Sequence, residues 1–247
     1  MATSRSAAQH AIAAGHVLVS GVPEPKPSTM VSESDSVTID DAASRFVGRG
    51  GQKLDAALST FPIDVTGKRA VDVGASTGGF TDCLLQRGAA AVATIDVGYG
   101  QLDWRLRTDP RVAVHERTNV RLADAGALGA PFDVVVADLS FISLRTVAPQ
   151  LGALGSDDAD WVLLVKPQFE VGRRAVPKGG VVLDPSARAR AVRQVRDALA
   201  EAGIGAAGLI RSPIKGATGN VEYLLWARRG PATVGDEAVD AITGSGP

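Results

Sequence analysis

Short apolar runs alternate with amphipathic segments through most of this chain. The runs RAVDVG, AVATIDV, VAVHE, PFDVVVADLS and DWVLLVKP predict strands, as do GAAGLIRSP and NVEYLLWARR near the end. Several runs are continuously apolar, which is typical of parallel strands that are covered on both faces. Apolar spacings of three and four predict helices between them, the last of which has Ser186 as its predicted N-cap. This alternation predicts an α/β fold with a parallel, doubly wound, Rossmann-like sheet.

The pattern changes along the chain and predicts a domain organisation. In residues 1–43, short segments with the apolar spacing of helices or strands alternate with Ser-, Pro- and Asp-rich segments. This alternation predicts a small N-terminal domain. Residues 44–48 are predicted to be a linker, and the strand–helix alternation fills residues 49–229. Residues 230–247 are small, polar and glycine-rich, so we expect a disordered tail there.

Composition narrows the class of protein. The 247 residues carry a net charge of −1, and 45% of them are hydrophobic, which suits a globular protein. The single cysteine, Cys83, excludes an internal disulfide framework, and the three histidines are too scattered to predict a metal site. No apolar run approaches the roughly 20 residues of a membrane span, and the N-terminus lacks the apolar core of a signal peptide. We therefore expect a cytoplasmic protein.

The stretch AVDVGASTGGFTDCLLQRGA places a glycine-rich turn between a strand and a helix. No Gly-Lys-Ser/Thr follows, so the turn is not a phosphate-binding P-loop, and its glycines do not have the Gly-x-Gly-x-x-Gly spacing of dinucleotide folds. Asp72 is placed to face the turn and a positively charged amino-acid group, and Asp96 follows the next strand, where it can accept hydrogen bonds from a ribose. These features predict S-adenosylmethionine as cofactor. The alternative is a turn that serves only helix–strand packing.

The predicted cofactor site extends beyond these two carboxylates. It includes the residues of the turn and a candidate neighbour of the adenine after the third strand. The predicted contacts are Asp72, Gly74, Ala75, Ser76, Thr77, Gly78, Gly79, Phe80, Asp96, Asn119 and Asp138.

Four ionisable residues lie within or beside apolar elements. They are Lys53, Asp138, Lys166 and Glu222. A charge in an apolar element is costly unless it meets an opposite charge, so we expect these four side chains to converge. The alternative is four unrelated, solvated side chains at the ends of elements.

Several motifs in register resemble one known family. GRGGQKL, VDVGASTGGFTDCLLQRGA, DLSFISL, VKPQFE and GNVEYLLW resemble the TlyA-type proteins, which include hemolysins and ribosomal RNA 2′-O-methyltransferases. The resemblance implies a class I methyltransferase domain of the FtsJ/RrmJ type, with a catalytic Lys-Asp-Lys-Glu set at the four positions above. It also implies ribosomal RNA or ribosomal subunits as partners. Residues 1–43 would then be an S4-like RNA-binding domain. Because the sequence has no apolar span, we expect no membrane partner.

The chemistry of methyl transfer to a ribose hydroxyl, which needs an in-line approach and removal of a poorly acidic proton, suggests roles for these four residues, called the tetrad. Lys166 is predicted to act as general base or to stabilise the developing alkoxide of the ribose. Asp138 and Glu222 are predicted to orient the lysines, and Lys53 to hold the 2′-oxygen or tune Lys166.

Family members begin with a further helix of the RLDxxLVxRG kind. This chain starts at or after the end of that helix. Two explanations stay open, namely a start codon further upstream or an incomplete S4 fold.

RNA recognition has to come from local charge because the total charge is slightly negative. Basic residues outnumber acidic ones between residues 166 and 215. Arg173, Arg174 and Lys178 follow the strand that carries Lys166, so we predict that they contact RNA phosphates. The arginines at 188, 190, 193 and 196 could contact RNA or form an ordinary solvated helix face.

Two other classes of function compete with an enzyme. One is a non-catalytic RNA-binding or ribosome assembly factor that keeps the fold, and the intact tetrad is evidence against it. The other is a membrane-active hemolysin, but the sequence contains no amphipathic membrane-inserting segment and no export signal.

Overall fold

The computed structural model describes residues 8–9, 11–12, 17–20, 22–23, 26, 28–39, 45–172 and 176–244. Its N-terminal part contains a small antiparallel sheet in the order β2-β1-β3. The three strands are β1 (Val17–Val19), β2 (Val22–Pro23) and β3 (Val37–Ile39). This sheet lies within the predicted N-terminal domain.

A seven-stranded sheet forms the centre of the larger domain, in the order β6-β5-β4-β7-β8-β10-β9. Its strands are β4 (Arg69–Val73), β5 (Ala91–Ile95), β6 (Val112–His115), β7 (Phe132–Ala137), β8 (Gly155–Val165), β9 (Ile204–Arg211) and β10 (Tyr223–Arg229). The helices around it are α1 (Gly50–Thr60), α2 (Gly79–Gln86), α3 (Trp104–Arg107), α4 (Leu144–Leu154), α5 (Pro167–Glu170), α6 (Pro185–Glu201) and α7 (Asp236–Gly244). These elements confirm the α/β class.

The sheet is parallel from β6 to β8, as predicted, but its last pairings are not. Strand β10 runs antiparallel to both β8 and β9, between which it is inserted. The prediction of a wholly parallel sheet is therefore wrong at this edge. The link from β9 to β10 spans residues 212–222 and contains no helix. A parallel pair needs a crossover of about a dozen or more residues, usually with a helix, so a helix-free link of this kind favours an antiparallel pair.

Helices cover both faces of the sheet, which confirms the doubly wound architecture. One apolar cluster joins α4, α6 and α7 to the sheet, with Leu151, Val195 and Val239 buried in it. The other joins α1 and α2, with Leu54 and Leu84 fully buried. Because strands β4, β7 and β8 are covered on both sides, their sequences are continuously apolar.

The start of α6 differs from the prediction by two residues. Asp184 is the N-cap, and its carboxylate accepts hydrogen bonds from the backbone N–H groups of Ser186 at 3.0 Å and Ala187 at 3.2 Å. Pro185 occupies the first helical position, where the missing N–H has no intrahelical partner to lose. Ser186 therefore lies inside the first turn and is not the cap.

The predicted linker packs against the larger domain over its described residues. Phe46 and Val47 are buried in the same apolar cluster as α1 and α2. The Val47 N–H also donates to Asp82 of α2 at 2.8 Å. The larger domain therefore includes Phe46 and Val47. The prediction that residues 44–48 form a linker is wrong for these two residues.

The predicted disordered tail contains helix α7. Arg193 of α6 contacts Asp236 at 3.2 Å and Asp240 at 2.7 Å, and Arg196 contacts Asp236 at 2.7 Å. Val239 on the same helix is completely buried. The prediction of disorder is therefore wrong for residues 236–244. The segment has few apolar residues, but its valine is buried and its acidic residues pair with arginines of α6.

We expect a chain that ends at Gly235 to be less stable than the full chain. Burial of one valine contributes about 1.5–3 kcal/mol, whereas the exposed ion pairs contribute little. The measurement is the free energy of unfolding in urea, with Glu237→Ala in the full chain as an exposed control on the same helix. A shortened chain that unfolds within about 0.5 kcal/mol of the full chain, the usual range of surface changes, would contradict the packing of α7.

Candidate active site

The glycine-rich turn connects β4 to α2 and lies against the end of β7. Gly74 has a φ of +87°, and a Cβ there would lie 2.6 Å from the carbonyl oxygen of Asp138. Both the left-handed backbone and the close approach require glycine at this position. The turn is therefore held directly beside Asp138, the first residue after β7.

Asp72 lies beneath the turn and does not line a described cavity. The backbone N–H and hydroxyl of Thr81 donate to its Oδ2 at 3.0 and 2.7 Å, which ties β4 to the first turns of α2. Burial raises the pKa of Asp72 to about 7, with smaller contributions from the charges of Asp138 and Asp96 and an opposite effect of the Thr81 hydrogen bonds. The structure gives Asp72 a supporting position, and not the predicted one facing the turn.

Asp96 follows β5 and holds two backbone segments together. Its carboxylate accepts from the N–H of Ser76 at 2.8 Å and from the N–H of Gly98 at 2.7 Å. Each carboxylate oxygen keeps a further lone pair for a ligand, because an ionised carboxylate offers about four acceptor positions. Asp96 thus anchors the turn and still faces the cavity that we describe next.

A cavity of about 440 Å³, called the main cavity, opens at the carboxyl ends of β4, β5 and β7. It is lined by Val73, Gly74, Ser76, Ile95, Asp96, Val97, Gln101, Thr118, Asn119, Val120, Asp138, Ser140, Phe141, Ile142 and Val147. A smaller neighbour, the turn cavity, is lined by Gly50, Gly74, Ala75, Ser76, Thr77, Gly79, Phe80, Asp138, Ser140 and Lys166. Gly78 lies outside both: a Cβ there would lie 2.2 Å from Leu106 Cδ1 and 2.8 Å from Leu102 Cδ1, so this position faces the two leucines.

The structure thus brings together most of the predicted cofactor residues, and it adds several that the sequence reasoning missed. Val97 and Thr118 adjoin predicted residues in the chain, so their positions could have been inferred from Asp96 and Asn119. Gln101 and Phe141 carry no signal of this kind, because their loops reach the cavity only through the tertiary fold.

The side chains that line the main cavity give it a negative charge, which limits the kind of ligand that it can bind. Two carboxylates, Asp96 and Asp138, line it, and no lysine or arginine of the described residues does. Such a site disfavours phosphate groups and favours a ligand with positive charge. The apolar walls, including Ile95, Val120 and Ile142, suit a flat ring system.

The four predicted ionisable residues meet as two ion pairs. Lys53 Nζ donates to Glu222 Oε2 at 2.6 Å, and both residues are buried. Lys166 Nζ lies 2.6 Å from Asp138 Oδ1 and donates to Ser140 Oγ at 2.9 Å. The tetrad therefore holds two cations and two anions, and the alternative of four unrelated solvated side chains is excluded.

The antiparallel strand explains how Glu222 reaches this site. Glu222 immediately precedes β10, whose first residue, Tyr223, is opposite Val165 in β8. The beginning of β10 thus lies at the same edge of the sheet as the end of β8, where Lys166 follows. A Cβ on Gly216 would lie 2.3 Å from Glu222 Oε1, so the loop before β10 packs directly onto the carboxylate.

A cavity of about 320 Å³ adjoins the tetrad and shares Ser140 and Phe141 with the main cavity. This lysine cavity is lined by Ser140, Phe141, Lys166, Gln168, Phe169, Val176, Gly180, Ala217, Thr218 and Glu222. The ring of Phe141 is 92% exposed and its centroid lies 5.3 Å from that of Phe169. Lys166 lines both the turn cavity and the lysine cavity, so it stands where ligands of the two cavities would meet.

The predicted RNA contacts are only partly described. Lys178 is exposed, two residues before Gly180 of the lysine cavity, whereas Arg173 and Arg174 lie outside the described residues. Arg193 and Arg196 pair with the acidic residues of α7, so they are not a free basic face.

The fold and the anionic cavity define a methyltransferase with a Rossmann-like sheet that uses S-adenosylmethionine. A family model for FtsJ-like methyltransferases matches residues 46–229. The chain belongs to this family, as the resemblance of its motifs predicted.

Relatives cover nearly the whole chain. The 16S/23S rRNA (cytidine-2'-O)-methyltransferase TlyA of Mycobacterium tuberculosis is 53% identical over 92% of this chain and 85% of its own length. Hemolysin A of Brachyspira hyodysenteriae is 39% identical over 90% of this chain and 92% of its own. A solved structure described as a "putative hemolysin" from Streptococcus thermophilus has a TM-score of 0.81 at 34% identity, covering 98% of this chain and 89% of that one. Within the part of the chain that the structure describes, no helix has the length and apolar character to cross a bilayer.

Proposed function

We propose that this protein transfers the methyl group of S-adenosylmethionine to a ribose 2′-hydroxyl of ribosomal RNA. The observation that carries the proposal is the position of Lys166 and Asp138, at the junction of an anionic cavity and a second cavity open to an acceptor. The name of the M. tuberculosis relative, a 2'-O-methyltransferase of 16S and 23S rRNA, supports the same reaction.

The residues of the main cavity fit this cofactor. Asp96 would accept from the ribose hydroxyls, and Asn119 lies in the same cavity as Ile95 and Val120, whose apolar side chains would contact the adenine. Asp138 and the backbone of the turn at Gly74 would face the cationic methionine end. The bound cofactor supplies an electrophilic methyl group, and the protein supplies the charge complementarity and orientation.

The acceptor ribose would occupy the lysine cavity. Lys166 serves the 2′-oxygen in one of two ways: as a neutral amine it takes the hydroxyl proton, or as an ammonium group it stabilises the developing alkoxide. In both cases Asp138 and Ser140 orient its Nζ. The Lys53–Glu222 pair closes the opposite side of this site and fixes Glu222 at the cavity wall.

Residues 1–43, together with Arg173, Arg174 and Lys178, would dock the RNA. An S4-like domain at the N-terminus would contact the RNA at a distance from the acceptor ribose, and the three basic side chains would contact phosphates. We also propose a cytoplasmic location, since an enzyme that acts on ribosomal RNA would meet its substrate there.

The proposed reaction is tested with purified protein, labelled S-adenosylmethionine and ribosomal subunits. We expect label in ribosomal RNA, and nuclease digestion should yield 2′-O-methylated nucleosides. Label in a base or in ribosomal protein would contradict the proposed acceptor, and cofactor binding without any transfer would favour a non-catalytic assembly factor.

We expect Asp96→Ala to weaken cofactor binding by at least about tenfold, which corresponds to roughly 1.4 kcal/mol. The substitution removes the ribose acceptor and also releases the Ser76 and Gly98 N–H groups that shape the turn. Calorimetric titration with S-adenosylmethionine measures the effect. Asp109→Ala is the control, because that carboxylate pairs with Arg111 and does not line the main cavity. If both variants bind the cofactor with equal affinity, Asp96 does not contribute to cofactor binding.

A further inference from the structure

A fifth buried ionisable residue lies close to the tetrad but outside it. Glu170 is 2% exposed and is the last residue of α5, four positions after Lys166. Its Oε1 accepts from the backbone N–H of Leu144 at 2.9 Å, and its Oε2 accepts from the hydroxyl of Ser143. Leu144 begins α4, six positions after Asp138. The carboxylate therefore joins the segment that carries Asp138 to the segment that carries Lys166.

The two segments touch at several points. Lys166 pairs with Asp138 and donates to Ser140, and the ring of Phe141 contacts that of Phe169. The hydrogen bonds at Glu170 are the contacts nearest to the start of α4. From Asp138 to the start of α4, the chain makes an irregular loop in which Phe141 has a φ of +65°, a backbone conformation that is unfavourable for a phenylalanine. Strained backbone of this kind persists only where neighbouring contacts hold it.

Helix capping alone does not account for a carboxylate at this place. Ser143 already caps α4, because its Oγ accepts from the backbone N–H of Arg145 at 3.2 Å. Burial raises the pKa of Glu170, against the hydrogen bonds from Ser143 and Leu144, so a buried carboxylate here carries a desolvation cost. Arg145 Nε approaches its Oε2 only to 3.7 Å and is itself partly exposed.

We infer that Glu170 is a positioning residue of the active site, which holds the Asp138–Leu144 segment against α5 and thereby sets the geometry of the Asp138–Lys166 pair. The inference rests on the proposed methyl transfer for its kinetic consequence. Its structural consequence, the anchoring of residues 139–144, does not depend on that reaction.

The kinetic experiment compares Glu170→Ala and Glu170→Gln with a matched control. The control is Asp160→Asn in strand β8. Asp160 is also 2% exposed, its carboxylate accepts a hydrogen bond from Trp226 Nε1 at 2.9 Å, and it lies six positions before Lys166 along the chain. At saturating cofactor and RNA, we expect Glu170→Ala to lower the single-turnover rate by at least about tenfold, since small misplacements of reacting groups are costly. Cofactor affinity should stay within about twofold, because Glu170 lies outside the main cavity.

Glu170→Gln keeps a carbonyl that can accept from Leu144, so its rate should lie between those of the wild type and the alanine variant. Thermal unfolding of all variants separates positioning from general destabilisation. A rate loss in Asp160→Asn as large as that in Glu170→Ala, at similar loss of stability, would reduce Glu170 to a structural residue and overturn the inference.

Hydrogen exchange on the whole protein gives a readout without methyl transfer. In Glu170→Ala, we expect faster exchange of the amides at 139–145 and unchanged exchange at 96–101, which belong to the main cavity. Unchanged exchange at 139–145 would overturn the inference. A wild-type protein that transfers no methyl group would contradict the proposed function instead, and exchange would still decide the role of Glu170.

Discussion

Replacing Lys166 by alanine is expected to slow methyl transfer by at least about a hundredfold, the lower end of what a positioned proton-transfer group contributes. The substitution removes the only lysine that lines both the turn cavity and the lysine cavity, and it leaves Asp138 without its ion-pair partner. Cofactor affinity should change little, because Lys166 does not line the main cavity. The measurement is the single-turnover rate on ribosomal subunits, together with calorimetric binding of S-adenosylmethionine.

Lys166→Arg separates the two chemical roles of this lysine. A guanidinium keeps its charge but does not give up its proton, so it can neutralise an alkoxide but cannot act as a base. Loss of rate in the arginine variant would therefore favour proton transfer, and a near-normal rate would favour charge alone. Lys178→Ala is the matched control, since an exposed lysine beside the cavity should affect RNA affinity and not the rate at saturation. A normal single-turnover rate in Lys166→Ala would show that this lysine has no role in methyl transfer.

Lys53→Met is expected to cost about 3–5 kcal/mol of folding stability, because it leaves the buried Glu222 carboxylate without a partner. Glu222→Met should cost a similar amount by leaving the Lys53 ammonium group unpaired. The double variant should recover most of the loss, since a buried ion pair can often be replaced by apolar side chains of similar volume. Urea unfolding of the four proteins forms the complete cycle.

Activity in the double variant then shows whether the pair has more than a structural role. Because Glu222 lines the lysine cavity, we expect the stable double variant to remain at least about tenfold slower than the wild type, as misplaced reacting groups are costly. Full activity would make the pair purely structural. A single-variant cost below about 1 kcal/mol, the value of an exposed pair, would contradict the burial of the pair.

The sequence predicted the members of the tetrad but not their partners. Lys53, Asp138, Lys166 and Glu222 stand out because charges in or beside apolar elements need compensation. Which lysine meets which carboxylate depends on the direction of β10, and the pattern of NVEYLLWARR is compatible with either direction. The parallel orientation was expected from the alternation of elements, but no crossover helix lies between β9 and β10, and β10 runs antiparallel to both of its neighbours.

Other features lacked a signal in the sequence. Asp72 follows the pattern of a ligand-facing carboxylate, but the pleat of β4 directs it to Thr81 beneath the turn. Glu170 is one acidic residue among many, and only the fold brings it to Ser143. The composition of helix α7 is small and polar, so it gives no sign of the buried Val239, and the arginines that pair with the helix lie about forty positions earlier.

The inserted position of β10 also sets an order for the synthesis of this protein. Lys53 and Glu222 are 169 positions apart, and β9 has no neighbour in the sheet until β10 separates it from β8. A nascent chain that has emerged through β9 therefore holds the complete glycine-rich turn, yet its Lys53 has no counter-ion and its sheet has an open edge. Long-range pairings of this kind form late and leave strands exposed in the meantime. Growing chains should accordingly acquire cofactor recognition first and methyl-transfer competence only when the final strand inserts, which makes this step the point at which chaperone protection matters most.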